Sequence, residues 1–347
     1  MRLRELLDSK PNLKYIFTGG KGGVGKTISA AGLAYYYAIS GYKTLLASLN
    51  PVHSLSSLFK QDLTGGLIKE VNGVDGLHAI EVEIDDIVAR YKENISRRLR
   101  EFLKWADIPI DPKPFIDIAT TNPAFQESAM FDKMMDIVIE EGKNYDKIVF
   151  DTAAVANAVR LIGLSKIYGL WLERMIKSRE EALSLRVKLS FRKEKVMEEI
   201  KKDPLMADLL SLNDKFNKVR RVLLNSDETA FFFVTLPLSL PIAVVKRFIK
   251  MVSSYDIPVG GVIVNMIIPK KIAEATTSTY VKNQYEQQLH YMNIIQRDLE
   301  DLVVSYIPTY EREVVGIDMV KRVSEDMLNY TPVFLDELPK QVNKLIL

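Results

Sequence analysis

The chain has 347 residues, 47% hydrophobic and 27% charged, a balance that excludes an intrinsically disordered polypeptide and suits one large domain or a domain with a sizeable insertion. Its formal net charge of +2 is the small difference between nearly equal numbers of basic and acidic side chains, so the charge points to no specific nucleic-acid partner. Cysteine is absent and the three histidines (His53, His78, His290) are far apart, which excludes disulfides, thiolate catalysis and Cys-ligated zinc or metalloid sites and argues against a His-rich metal centre.

In chain order, residues 1–10 carry Arg2, Arg4, Glu5 and Asp8 and lack the apolar core of a secretion signal. No run reaches the roughly 18 apolar residues that span a bilayer, so the expected location is cytoplasmic. Residues 13–18 (LKYIFT), apolar and ending in glycines, predict a buried strand; the Ala-rich residues 28–39 predict a helix stopped by Gly41, and 43–49 (KTLLASL) a second buried strand. Further strands are expected at 77–82, 147–150, 230–235, 261–265 and 303–307, with helices at 127–141 and 241–253 between some of them. This alternation predicts an α/β fold with a doubly wound, mostly parallel sheet.

Two stretches interrupt the alternation. Residues 85–104 form a charged amphipathic pattern followed by a Pro-containing loop at 108–114. Residues 166–221, with 15 Lys/Arg against 9 Asp/Glu, read as two or more helices broken at Asp203–Pro204. The expected division is a nucleotide-binding domain of residues 1–84, 119–165 and 228–347 with an inserted α-helical subdomain of 85–118 and 166–227. A further helix, rich in Gln, Tyr and Asn, is expected at 279–301.

The first strand runs into Gly20, Lys21, Gly22, Gly23, Val24, Gly25, Lys26, Thr27, which matches G-x-x-x-x-G-K-[ST] with a strand before it and a helix, opening at Ile28, after it. Glycines let backbone N–H groups close around phosphate oxygens without a Cβ in the way, and the helix adds its positive N-terminal end. Lys26 is expected to reach the β- and γ-phosphates and the Thr27 hydroxyl to ligate Mg²⁺. Asp151 ends the apolar run KIVF, placing a carboxylate at a strand's C-terminal end, where it can hold a Mg²⁺-bound water. ATP and Mg²⁺ are therefore the expected cofactors, and zinc is not.

The form G-K-G-G-V-G-K-T, with Lys21 near its start, resembles the deviant phosphate loop of the family that contains arsenite-pump ATPases, cell-division regulators, the nitrogenase iron protein and guided-entry ATPases. Asn50, Pro51, Val52, His53, Ser54 resemble the first switch motif D-P-A-H-[NS] of its arsenite-pump and guided-entry branch. Asp151, Thr152, Ala153, Ala154 resemble the start of the second switch, and residues 123–127 its P-G-x-x-E segment. Asn265 matches an adenine-contacting asparagine, and Pro308, Thr309, Tyr310, followed by Glu313, Val314 and Gly316, are similar to the adenine loop P-x-x-x-E-V-x-G. The resemblance implies a P-loop ATPase, a role for Lys21 on the partner's nucleotide across a homodimer, switch residues Asn50, Pro51, His53, Ser54, Asp151 and Thr152, and nucleotide contacts from residues 20–28, Asn265 and 308–310. Lys21, Lys26 and Asn50 are the candidate catalytic residues.

The pattern also fails in informative places. The family's first-switch aspartate orients or deprotonates water; Asn50 carries no charge and cannot take a proton, so slow hydrolysis is expected with nucleotide binding kept. Val155, Ala156 and Asn157 replace Thr-Gly-His in the second switch, and the cysteine pair that binds zinc in guided-entry ATPases is missing.

Three functions stay open. In the first, a targeting factor for tail-anchored proteins aligns Leu170, Trp171, Met175 and Met206 into a groove for a client's transmembrane helix, or engages a membrane receptor. In the second, a nucleotide-occupancy switch regulates a soluble partner. The third, a metalloid-pump ATPase, is disfavoured by the lack of thiolates.

Overall fold

The structure is a computed structural model that describes residues 2–50, 54–105, 108–152, 173, 174, 176–181, 183–185, 187, 188 and 203–333. Eight strands form among the described residues, most of them short apolar runs bounded by glycines and turns: β1 Tyr15–Gly20, β2 Thr44–Leu49, β3 Lys69–Glu70, β4 Leu77–Glu81, β5 Lys147–Thr152, β6 Thr229–Thr235, β7 Val259–Ile267 and β8 Val303–Pro308. They make one sheet in the order β3-β4-β2-β5-β1-β6-β7-β8, parallel except for β3. All of β1, β2, β5 and β6 is buried, as expected of parallel strands covered on both faces.

Eleven labelled helices accompany the sheet among the described residues: α1 Leu3–Ser9, α2 Lys26–Ile39, α3 Ser54–Phe59, α4 Ile84–Trp105, α5 Lys113–Thr120, α6 Pro123–Glu140, α7 Pro204–Leu224, α8 Ser239–Ser253, α9 Lys270–Ala275, α10 Thr279–Leu299 and α11 Ile317–Asn329. Side chains alternate between the sheet's faces with period two. One set, including Ile16, Leu46, Val149, Phe232 and Ile263, joins the core beneath α1, α2 and α11. The other carries a cross-strand ladder. Phe17 on the central strand stacks on Phe150 at 4.5 Å and on Phe231 at 4.4 Å between ring centroids, its register partners on β5 and β6. Such aromatic pairs add about 0.5–1.5 kcal/mol each beyond the area they bury, and these three pin the register of the strands that carry the phosphate loop and Asp151.

The chain divides into two compact units, Met1–Val82, Gly142–Val159 and Leu223–Leu347 in the first, and Glu83–Glu141 and Arg160–Val222 in the second. The first holds the sheet. In the second, α4, α5 and α6 pack on one another, and Lys215 of α7 lies 2.6 Å from Asp132 and 2.7 Å from Asp136 of α6. Those two carboxylates hold its ammonium pKa above the ordinary lysine value despite burial. Phe131 and Phe216 meet beside this cluster at 5.7 Å. The loop expected at 108–114 ends early, because Lys113 already opens α5. None of the described helices is long and apolar enough to cross a membrane.

Candidate functional site

The site forms where β1, β2, β5 and β7 end. Past Gly20 the chain turns through Lys21, Gly22 and Gly23, which are exposed, and enters α2 at Lys26 with Gly25 as N-cap. Two glycines in this turn are required by backbone geometry: Gly23 has φ +79° and Gly25 φ +94°, both left-handed. Gly25 is also crowded, since a Cβ there would stand 2.1 Å from Asn265 Nδ2. At Gly22 and Gly23 a Cβ would meet nothing within 4 Å. The loop thus presents backbone, with open space beside it, at the N-terminal end of a 14-residue helix.

Lys26 is buried and its Nζ donates to the Lys21 carbonyl at 3.2 Å. Burial lowers its pKa below the ordinary lysine value, opposed by the nearby Asp151 charge. Asp151 is wholly buried. Its Oδ2 accepts the Thr27 hydroxyl at 2.7 Å and the Ser48 hydroxyl at 3.4 Å, while Oδ1 is buried with no hydrogen-bond partner. Desolvation pushes the Asp151 pKa above the usual carboxylate range, against the pull of the Thr27 bond and the Lys26 charge. An orphaned carboxylate oxygen in a buried site is costly unless something else engages it. The Ser48 oxygen in turn accepts the Asn50 N–H at 3.4 Å. Thr152 donates to the Thr18 carbonyl at 2.8 Å and so braces β5 against β1.

Lys26, Thr27 and Asn50 open onto a cavity of about 480 Å³, within the range of small-molecule sites. Gly23, Gly25, Lys26, Thr27, Ile28 and Asn50 line one part of it; Asn265, Met266, Pro308, Thr309, Tyr310, Arg312, Glu313 and Val314 line the rest. The Asn265 amide is already engaged: Nδ2 donates to the Val24 carbonyl at 2.9 Å and Oδ1 accepts the Met266 N–H at 2.8 Å, tying β7 to the phosphate loop. The Tyr310 hydroxyl donates to Asp326 at 2.9 Å, and the Arg322 guanidinium lies 4.9 Å from its ring centroid.

The donor set fits MgATP. Lys26, the helix N-terminus and the glycine turn supply positive potential for phosphates; the Thr27 hydroxyl would be a ligand of Mg²⁺ and Asp151 would hold a water bound to it. No cluster of three His, Asp or Glu side chains suited to a metal occurs among the described residues.

Of the other expected site residues, Lys21 is exposed on the turn, Gly20 is buried at the end of β1 and Ser54 opens α3. Pro51, His53, Leu170, Trp171 and Met175 lie outside the described residues; Met206 is half-buried on α7. Ser48, Met266 and Arg312 were missed. Ser48 had a signal, being two residues before Asn50 at a strand end and therefore on the same side.

A model of the family described as anion-transporting ATPases matches residues 13–329. The chain is similar to the protein named ATPase GET3C of Arabidopsis thaliana, 30% identical over 325 residues covering 89% of this chain and 80% of the relative. It is similar to a putative arsenical pump-driving ATPase 2 of Aquifex aeolicus, 26% identical over 315 residues, 90% of this chain and 98% of the relative. It is also similar to ATPase GET3 of Kluyveromyces lactis, 24% identical over 345 residues, 95% and 94% of the two chains.

Proposed function

The chain belongs to the anion-transporting ATPase family, as a divergent, cysteine-free member, and on that premise we propose that it is a dimeric, ATP-gated targeting factor or chaperone for tail-anchored membrane proteins that hydrolyses ATP slowly. The observation that carries the nucleotide part is the cavity lined by the glycine turn, buried Lys26 and Thr27, with Thr27 bonded to the buried Asp151, whose other carboxylate oxygen has no hydrogen-bond partner. Bound Mg²⁺ would supply charge neutralisation between the β- and γ-phosphates. Thr27 and Asp151 would hold that ion, Asp151 through a water, and Lys26 would hold the phosphate oxygens.

Asn50, on the same cavity, orients water through its amide but takes no proton from it, so turnover is slow. Lys21, exposed on the turn, is available to a second copy's nucleotide, as the family resemblance implies. We assign client binding to the inserted segments; of the residues expected there, Met206, half-buried on α7, is among those described. A specific residue favours a second reading: an asparagine at position 50 suits a protein that signals by holding ATP and recruiting a soluble partner, with no need for fast turnover.

The test uses a defined client, a soluble tag followed by one C-terminal apolar helix, co-purified with this chain. With a non-hydrolysable ATP analogue and Mg²⁺ the client is expected to stay soluble in a complex of two chains per client. A client that precipitates equally with and without the analogue contradicts the targeting reading and leaves the occupancy switch.

A further inference from the structure

Met266, on the cavity wall, has φ +56°, a left-handed conformation uncommon for a side chain of its size. Such a backbone persists only where its surroundings hold it. Three ties do so. The Met266 N–H is held by Asn265 Oδ1, and the Ile267 carbonyl accepts the Thr309 N–H at 2.8 Å, which fixes β7 to the segment carrying Thr309 and Tyr310. The third comes from outside the cavity. Beyond Ile267 strand β7 has ended, and Gln288 of α10 takes the place of a strand neighbour. Its Oε1 accepts the Ile268 N–H at 2.7 Å and its Nε2 donates to the Ile268 carbonyl at 3.1 Å. A planar carboxamide is the side chain that reproduces both halves of a backbone rung. Gln288 is 3% exposed, so this two-bonded clamp is shielded from competing water.

We propose that Gln288 is a positioning residue for the nucleobase end of the cavity: its clamp on Ile268 holds Met266 and Thr309 where a base would lie, without touching the ligand. This rests on the reading that the cavity takes ATP with its phosphates at Lys26. The phosphate loop is held by β1, by α2 and by the Asn265–Val24 bond, none of which involves Gln288 or Ile268. Loss of the clamp therefore weakens recognition of the base and leaves the phosphate grip intact. A purely structural role would weaken both together.

The experiment is calorimetric titration of wild type and Gln288→Met, a variant of similar length with no hydrogen-bonding amide, with MgATP and separately with magnesium tripolyphosphate. The expected result is ATP bound about tenfold more weakly by the variant and tripolyphosphate changed by less than about twofold, as loss of two buried hydrogen bonds to one segment would give. Equal weakening of both ligands, or ATP affinity within about twofold of wild type, overturns the assignment. Wild type that takes up neither ligand removes the nucleotide reading itself, an outcome distinct from the other two. Should Gln288→Met fail to fold, Gln288→Glu, which keeps the acceptor for the Ile268 N–H and loses the donor to its carbonyl, carries the same comparison.

Discussion

At the scale of single residues, the proposed function gives Asn50 control of how much chemistry the site performs. Its N–H is held by Ser48 and it lines the cavity beside Thr27. Replacing the amide with a carboxylate restores a group able to take a proton, and general-base assistance is worth about a hundred- to ten-thousand-fold. Asn50→Asp is therefore expected to raise the single-turnover rate of ATP hydrolysis by about that range with little change in MgATP affinity; an unchanged rate would show that the amide is not what limits turnover. What could be read from the sequence here follows from contiguity. Gly20 to Thr27 act as one local turn, so their chemistry is written in consecutive letters, and Asp151 is announced by the apolar run before it. Ser48, Met266 and Gln288 act through neighbours brought up by other strands and helices. Nothing in the letters around Gln288 says that its amide completes the end of a strand lying 20 residues away in sequence.

At the scale of elements, the phosphate-loop helix α2 is held between the sheet and α11. Gly32 lets α11 come close: a Cβ there would stand 2.8 Å from Met327 Sδ and 3.3 Å from Val323 Cγ1. The first contact is the flexible end of a methionine, the second a stiff branched side chain. Gly32→Ala is expected to be near neutral in thermal or urea unfolding, its better helix propensity, worth up to about 1 kcal/mol, offsetting the crowding. Gly32→Val is expected to destabilise by about 1–3 kcal/mol; equal stability of the two variants would contradict this tight approach.

At the N-terminal end of the strands, buried Lys147 on β5 donates to the Pro11 carbonyl at 2.9 Å and to that of Leu13, and lies 5.1 Å from the Tyr37 and 4.6 Å from the Tyr42 ring centroids. Burial lowers its pKa from the ordinary lysine value. It ties the segment before β1 to the sheet. The parallel strands were legible because they are short apolar runs with glycine or turn residues around them. Strand β3 was not, since two residues, Lys69 and Glu70, carry no period and exist only by pairing with β4. Helices α1 and α11 did carry a helical stripe, Leu3, Leu6 and Leu7 in one and Met319, Val320, Val323 and Met327 in the other. Charged residues between them obscured it.

At the scale of the whole molecule, one sheet carries the cavity and a helical unit is inserted twice into its sequence. In the proposed function, ATP occupancy is what controls the binding of a client. Every step of that account depends on the triphosphate grip. The most direct measurement is calorimetric titration of MgATP into wild type and Lys26→Ala. The account predicts one nucleotide taken up per wild-type chain and a loss of affinity of about a hundredfold or more in the variant, as removal of a buried charged partner of phosphate would give. No uptake by wild type, or equal uptake by both, would contradict it.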